Sequence, residues 1–380
     1  MSPVPSHVST TRGPVLIIGT GLLGTSLALA LRSEGVEVFL RDSSPTAGRL
    51  AQDLGAGTLI GPDDHCSPSL VIVSTPPDVA DICVVDALIR YPEAVVSDVA
   101  SVKLAVLEGV VEEAERRGLD ITSRYVGSHP MAGRERSGAG AADADLFYGR
   151  PWVIVPSPTS APDAVMRIRS LAGDVGAFPI EMDASTHDQS VALISHVPQL
   201  VSSMLAARLA DAPVSALSLS GQGLRDTTRI AASDPRLWTA ILAGNAGPVV
   251  KVLKDIRGDL DDLISHLDAA AQEGALEGGS VGAVYRVMDQ GNRGVARIPG
   301  KHGGAPRRYV VLDVFVPDTA GSLGRLFADL GEIGVNIEDF ALEHSAGAQM
   351  GVARLSLDPS IVASTICQLQ ERGWNTGSGD

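Results

Sequence analysis

Gly19-Thr-Gly21-Leu-Leu-Gly24 directly follows the apolar run Val15-Leu-Ile-Ile18 and opens a helical pattern, and no other feature limits the fold so sharply. Gly19 permits a tight strand-to-helix turn, Gly21 lets backbone approach a pyrophosphate, and Gly24 lets the helix pack close on the strand. The helix start, at Leu22 and Leu23, offers free N–H groups and a partial positive charge to phosphates. Asp42 ends the second apolar run, about 20 residues on, where such folds hold the ribose. Its carboxylate accepts from ribose hydroxyls and repels a 2′-phosphate, so the expected cofactor is NAD rather than NADP. Arg41 and Arg49 lie nearby and work against that preference. Ser74-Thr75-Pro76, after another strand, stands where a loop runs along the dinucleotide. The plain alternative is a glycine-rich turn without ligand; the flanking strand and helix and Asp42 speak against it.

Short apolar runs alternate with helical patterns from Pro14 to about Ile180: Val36–Leu40, Leu70–Val73, Ala94–Val96 and Trp152–Val155. Near-continuous apolar strands separated by helices predict a parallel sheet covered on both faces, an α/β Rossmann domain over 13–182. From 183 to 290 the pattern is all helical, with Ala- and Leu-rich faces suited to packing on each other or across a dimer. Ser233-Asp-Pro235 marks a helix start. Residues 291–308 are rich in Gly, Pro and basic side chains and read as a linker. Strand, helix, strand, strand and helix patterns then fill 309–380, with a short last strand expected near Trp374.

The formal net charge of -15 argues against nucleic acid or an anionic membrane as partner. An anionic substrate would need a locally basic pocket. Cys66, Cys83 and Cys367 are too far apart for a metal or redox motif and suit a reducing cytoplasm. Residues 1–12 lack the apolar core of a signal peptide and read as a flexible tail. No apolar run is expected to reach membrane-spanning length, which predicts a soluble protein.

Four polar segments fall where strand ends or domain-facing helices are predicted: Ser97-Asp-Val-Ala-Ser101-Val-Lys103, Gly127-Ser-His-Pro-Met-Ala-Gly133, Ser195-His196-Val-Pro198 and Arg225-Asp-Thr-Thr-Arg229-Ile-Ala-Ala-Ser-Asp-Pro235. Together they are far more specific than the glycine loop. On them the chain resembles the prephenate/arogenate dehydrogenase family of tyrosine biosynthesis, from Pro14 nearly to its end. The resemblance implies oxidative decarboxylation without a metal. Hydride passes from the hydroxyl-bearing ring carbon to nicotinamide, the hydroxyl proton is taken up, CO2 departs and the ring becomes aromatic.

By this resemblance His129 is the acceptor of the hydroxyl proton, and Ser101 hydrogen-bonds near the nicotinamide and the substrate hydroxyl. Without it, His129 caps a turn and Ser101 caps a helix. Arg229 matches the arginine that grips a substrate carboxylate, and Asp226, one helical turn earlier, is placed to pre-orient it. His196 matches a second pocket histidine, although packing beside a proline kink explains it equally. Glu135 matches a gating acid and Trp238 a pocket wall. Lys103 reads as a surface residue, and His187 and Asp188 as helix-capping residues.

The tail, with Asp318, Gly321, Ser322 and Leu323 followed by Asn336 and Ile337, resembles an α+β (ferredoxin-like) ACT domain. That implies an amino-acid effector, tyrosine being the natural one for the pathway, with a purely structural dimerisation module as the alternative. The resemblance implies an NAD-dependent prephenate dehydrogenase, expected to act as a homodimer in the cytoplasm. Arogenate is the rival substrate. A 3-hydroxyacid dehydrogenase is disfavoured for want of a Gly-x-x-x-Lys helix pattern, and a silent NAD- and amino-acid-sensing regulator by the intact polar set.

Overall fold

The computed structural model describes residues 9–119, 122–134, 136–274, 280–299, 309–344 and 350–378. Strands β1 (Val15–Ile18), β2 (Val38–Arg41), β3 (Thr58–Leu59), β4 (Leu70–Val73) and β5 (Val95–Asp98) form a parallel sheet in the order β3-β2-β1-β4-β5. Side chains alternate across a strand. Val15 and Ile17 therefore join Leu27, Ala28 and Leu31 of helix Leu22–Ser33, while Leu16 joins Val84, Val85 and Leu88 of helix Pro77–Arg90 on the other face. Each fully buried Leu or Ile stabilises by about 1.5–3 kcal/mol. Strand order reverses at β1 and β4, so a crevice opens at their carboxyl ends, where open α/β sheets bind ligands.

The expected single parallel sheet does not continue. Strands β6 (Val126–Pro130), β7 (Pro151–Pro156) and β8 (Phe178–Glu181) form a second sheet in which β6 and β7 are antiparallel and β7 and β8 parallel. A parallel return needs a crossover, usually a helix. Helix Pro162–Asp174 supplies one between β7 and β8, whereas the described residues between β6 and β7 form only the 3-10 turn Ala139–Ala141. A parallel bridge from Val96 to Tyr125 ties β6 to β5, so β5 and β6 end on the same edge.

Asp183 caps the next helix, accepting from the Thr186 N–H at 2.9 Å. Helix Ala184–Val191 then passes through a π turn, Ala192–His196, into helix Val197–Ala207. Pro198 explains the widening: it has no N–H to donate and its ring crowds the carbonyl four residues back. Against the expectation of no membrane-length apolar run, Ala184–Ala207 is 24 residues long and apolar enough to cross a membrane by length and composition. It nevertheless carries the buried polar residues His187, Asp188 and His196.

Further helices cover Val214–Leu217, Gln222–Thr228, Pro235–Gly244, Ala246–Glu273 and Ser280–Val295. Asp234 caps the third of these through the Arg236 N–H at 2.9 Å, with Pro235 in the first turn, as the Ser-Asp-Pro signal predicts. Helix Ser280–Val295 runs into the segment expected to be linker. Gly291 and Gly294 each disfavour it by about 1 kcal/mol, but Arg293 pairs with Asp289 one turn back at 2.7 Å. Residues 300–308 of that segment lie outside the described residues.

By compactness the chain falls into two units: residues up to Ala210 with Thr228–Asp255, and Asp211–Thr227 with Ile256 onward. The second contains β9 (Val310–Pro317), helix Ser322–Glu332, β10 (Asp339–His344), β11 (Met350–Leu357), helix Pro359–Glu371 and β12 (Asn375–Ser378). Its antiparallel sheet has the order β10-β11-β9-β12, a βαββαβ arrangement with the last strand just after Trp374. Val335–Ile337, expected to open the second strand, precedes it; β10 begins at Asp339.

The tail expectation also changes at residues 9–12. Asp174 is 8% exposed and accepts from the Ser9 and Thr10 hydroxyls and from the N–H groups of Thr10 and Thr11, the last at 2.6 Å. A charged acceptor makes such bonds worth about 1.5–3 kcal/mol each. Asp174→Ala is therefore expected to raise amide exchange at Thr10 and Thr11 by more than about tenfold while leaving β1 and β4 protected. Unchanged exchange at Thr10 and Thr11 would show that the carboxylate does not hold the segment.

Candidate active site

The nucleotide loop has the geometry the glycine spacing demands. Gly19 has φ +97°, and a Cβ there would lie 2.4 Å from the Ser74 carbonyl oxygen. At Gly24 a Cβ would lie 2.0 Å from the Gly19 oxygen, so the helix cannot approach the strand with any larger residue. At Gly21 a Cβ meets nothing within 4 Å, which leaves open space in front of the helix N-terminus. The first-turn N–H groups at Leu22 and Leu23 have no partner within the helix. This is a cradle that fits a pyrophosphate. Asp42 is half-buried beside it; Oδ2 accepts from the Thr20 N–H at 2.6 Å and hydroxyl at 2.7 Å, and Oδ1 from the Ser44 N–H at 2.7 Å. Oδ1, with a single bond, keeps acceptor capacity toward a ribose. Arg41 donates to the Gly61 carbonyl at 3.3 Å. Ser74 to Pro76 leave β4 on the same carboxyl edge.

That edge also carries His129. The residue lies within β6, paired in register with Val153, rather than on the loop after the strand as expected. The strand signal stops short in sequence because Gly-Ser-His-Pro has little β propensity. Beneath it sits a buried polar layer: Ser97, Asp98, Lys103 and Ser128 are all at most 1% exposed. Lys103, expected on the surface, pairs with Asp98 and donates to the Ser128 carbonyl at 2.8 Å. Tyr125 donates to Asp98 Oδ2 at 2.7 Å, and the Ser128 hydroxyl donates to the Asp98 carbonyl at 2.9 Å. Burial lowers the Lys103 pKa while Asp98 pulls it back up. Burial likewise holds the Tyr125 phenol well above its ordinary value, with Asp98 adding to the effect.

The helix Ala184–Ala207 closes over this layer. In a straight α-helix, residues nine apart point about 180° away from each other. The π turn absorbs one residue, so His187 and His196 share a buried face, at 0% and 1% exposure. His187 Nε2 lies 2.9 Å from His129 Nδ1, and His187 Nδ1 lies 2.7 Å from Asp188 Oδ1. Asp188 is a cap, but of another helix: its carboxylate accepts from the N–H groups of Lys103 and Leu104, both at 2.9 Å, at the start of helix Leu104–Arg116. An anion at a helix N-terminus is favoured by the aligned backbone dipoles.

Asn245 donates to the Asp188 carbonyl at 2.8 Å and to His196 Nδ1 at 3.0 Å, which leaves the His196 proton on Nε2. Trp238, half-buried, stands edge-on to His196 with centroids 6.0 Å apart. Burial, then the neighbouring His187, Lys103 and His196, holds the His129 pKa well below the usual imidazole value. Burial also brings His196 down to about 4, against the pull of Asp188. Two neutral imidazoles therefore line the edge, one available as acceptor and one as donor.

Ser101 is half-buried in the loop after β5 and caps nothing; Lys103 holds the N-cap position of helix Leu104–Arg116. Arg229 is exposed and opens the 3-10 turn Arg229–Ala231. That turn is fastened to the His196 helix by Gln199, which donates to the Ile230 carbonyl at 2.8 Å. Asp226 accepts from Gln222 at 2.7 Å within its own helix. Glu135 lies outside the described residues. Sequence reasoning missed Asp98, Asn245 and the roles of Lys103, His187 and Asp188. The adjacent His-Asp pair ahead of Ser-His-Val-Pro was the available signal.

In the second unit a cleft of about 140 Å³ is lined by Asp318, Gly321, Ser322 and Leu323 together with Val316, Pro317 and Leu342. Gly321, at φ +90°, turns the chain into helix Ser322–Glu332. Asn336 and Ile337 do not line it: Asn336 donates to Glu338 at 3.0 Å and Ile337 packs on the domain core.

Residues 27–181 match the family described as "Prephenate dehydrogenase, nucleotide-binding domain", and residues 183–278 match "Prephenate dehydrogenase, dimerization domain". A Streptomyces niveus protein named "Probable prephenate dehydrogenase NovF" is 33% identical over 365 residues, covering 96% of this chain and 99% of its own. The crystal structure of Aquifex aeolicus prephenate dehydrogenase in complex with hydroxyphenyl propionate and NAD+ superposes with TM-score 0.63 at 26% identity, covering 73% of this chain and 97% of that one. Synechocystis arogenate dehydrogenase gives TM-score 0.59 at 27% identity, over 74% and 99%. A nucleotide-binding sheet domain followed by a helical domain that closes over its carboxyl edge, matched along nearly the whole of a curated relative, means that this chain belongs to the prephenate dehydrogenase family.

Proposed function

We propose that the chain is an NAD-dependent dehydrogenase that converts prephenate to 4-hydroxyphenylpyruvate by oxidative decarboxylation. One observation carries the reading: the glycine cradle and a neutral, buried His129 lie on the same carboxyl edge of parallel strands. NAD, when bound, supplies the acceptor for the hydride. The protein's own groups bind, orient and move the proton. The N–H groups at Gly21, Leu22 and Leu23 hold the pyrophosphate and Asp42 the ribose, with Gly19 and Gly24 shaping the turn and Ser74, Thr75 and Pro76 flanking it. His129 Nε2, the ring nitrogen not turned to His187, accepts the hydroxyl proton. Ser101 hydrogen-bonds beside it, and the His196 Nε2–H donates to a substrate oxygen next to Trp238. Arg229 pairs with a substrate carboxylate. The two neutral histidines support this assignment, because a site already holding two cations would not need to take up a proton.

Arogenate is the second reading, supported by the similarity to the Synechocystis enzyme. The βαββαβ unit supports an ACT-type regulatory domain whose cleft, at Asp318, Gly321, Ser322 and Leu323, receives an amino acid such as tyrosine. The exposed Leu193, Ile194, Val201, Met204 and Leu205 on one long helix support a homodimer. Free cysteines at 66, 83 and 367 fit a cytoplasmic protein.

Purified protein with NAD is expected to form NADH on addition of prephenate, or of arogenate under the second reading; no NADH with either overturns both. His129→Asn is expected to lower kcat by about 10²–10⁴ with NAD affinity unchanged. Arg229→Gln is expected to raise KM by about tenfold or more, the equivalent of one charge-assisted hydrogen bond. Near-wild-type kinetics of either variant removes that residue from its role.

The histidines also set a pH dependence. Below the unfolded value of 6.5 the unfolded chain binds protons that the folded chain refuses, so stability falls with pH. For His196 the loss runs from 6.5 down to about 4 and then levels off. Urea midpoints across that window, compared with those of His196→Asn, isolate its share; parallel curves would contradict the burial argument. The acid limb of kcat/KM is expected below 6.5, since burial keeps His129 unprotonated.

A further inference from the structure

We propose that His187 and Asp188 are positioning residues that lock His129 into the tautomer carrying its proton on Nδ1, so that Nε2 always faces the substrate as an acceptor. The proposal rests on the reading of His129 as the base and extends it to a chain of groups that the substrate never touches.

The tautomers follow from the far end inward. Asp188 cannot rotate, because Oδ1 accepts from the Lys103 N–H and Oδ2 from the Leu104 N–H, each at 2.9 Å. A carboxylate offers only lone pairs, so His187 Nδ1, 2.7 Å from Oδ1, must carry a hydrogen. In its one-hydrogen form His187 keeps a lone pair on Nε2. His129 Nδ1, 2.9 Å away, must then be the donor, and the His129 lone pair is on Nε2. The two rings stand at 71° to one another and do not stack.

The same chain serves the reaction. As the substrate O–H bond breaks, the proton bonds to His129 Nε2, and the O–H electron pair becomes the new C=O pair while hydride leaves the carbon for nicotinamide. His129 is then cationic, and its Nδ1–H bond to His187 strengthens, with the Asp188 carboxylate behind it. The other charged groups close to the pair, Lys103 with Asp98, already neutralise each other. His196 is held in its own Nε2–H form by Asn245. Asp188 is thus the one anion available to balance the new charge among the residues described around the two rings.

The test uses His187→Leu, His187→Gln and Asp188→Asn in the full chain, with His129→Asn in parallel. Leucine fills the space but cannot accept; glutamine can place its amide oxygen where Nε2 stood. His187→Leu is expected to lower kcat about 10²-fold or more, as wrong tautomers do elsewhere, with KM and NAD affinity within about threefold and a folded-state spectrum retained. His187→Gln is expected to recover most of the lost kcat, which a packing role would not explain. ¹⁵N imidazole shifts of the wild type are expected to place the His129 proton on Nδ1, and Asp188→Asn, whose amide oxygen can still accept from His187 but carries no charge, is expected to lower kcat while keeping that tautomer. Wild-type protein showing that proton on Nε2 overturns the proposal, whether or not any variant folds. Full activity of His187→Leu with inactive His129→Asn also overturns it while leaving His129 as the base. Full activity of His129→Asn instead overturns the reading on which it rests.

Discussion

Everything at the carboxyl edge depends on one joint, the Asp188 carboxylate against the N–H groups of Lys103 and Leu104. The helix that bears Asp188 has few other polar reasons to sit on the sheet at one rotation rather than another. Apolar contacts there tolerate sliding; a buried anion between two backbone donors does not, since a buried charge without its partners costs several kcal/mol. Asn245 adds a second tie, from the Asp188 carbonyl to His196. Register between the helix and the sheet is therefore set by polar groups, while apolar burial supplies the bulk of the adhesion.

A buried charge pair, Lys103 with Asp98, braces the layer below. Its Lys103 end reaches the carbonyl of Ser128, the residue before His129. The short stretch Ser97–Lys103 thus leaves one sheet, braces the next and receives the helix. Neutral imidazoles and a compensated lysine line the floor of the site, so charge placed there by a reacting molecule is not screened by a standing excess.

Much of this was legible in the sequence, and the failures have physical causes. The glycine loop, Asp42 and the first-domain strands could be read because turn stereochemistry and apolar burial are local properties. The Ser-Asp-Pro helix start was legible for the same reason. Lys103 was misread because lysine is almost always solvated, and its partner five residues earlier lies across a strand end that no periodicity reveals. His187 and Asp188 looked like caps of their own helix because they stand at the start of a long helical pattern; Asp183 caps that helix, and the helix that Asp188 caps is a tertiary neighbour. Nor does helical spacing bring His187 and His196 together until a π turn is inserted, and Pro198 is a sign of distortion but not of its kind. The antiparallel return of β7 was hidden because an apolar run reads alike in either direction.

His129 stands within β6, bonded in register to Val153, and not on a loop. β6 is paired with β7 along its whole length and is tied to β5 by one bridge just before it begins, so the imidazole stands on paired backbone. It is only 9% exposed. The wall packed against the ring is helical: His187 of helix Ala184–Val191 meets it, and the same helical run carries the widened turn before Val197 and, through Gln199, the short Arg229 turn. Gln199 is thus the joint between that wall and the turn that bears Arg229.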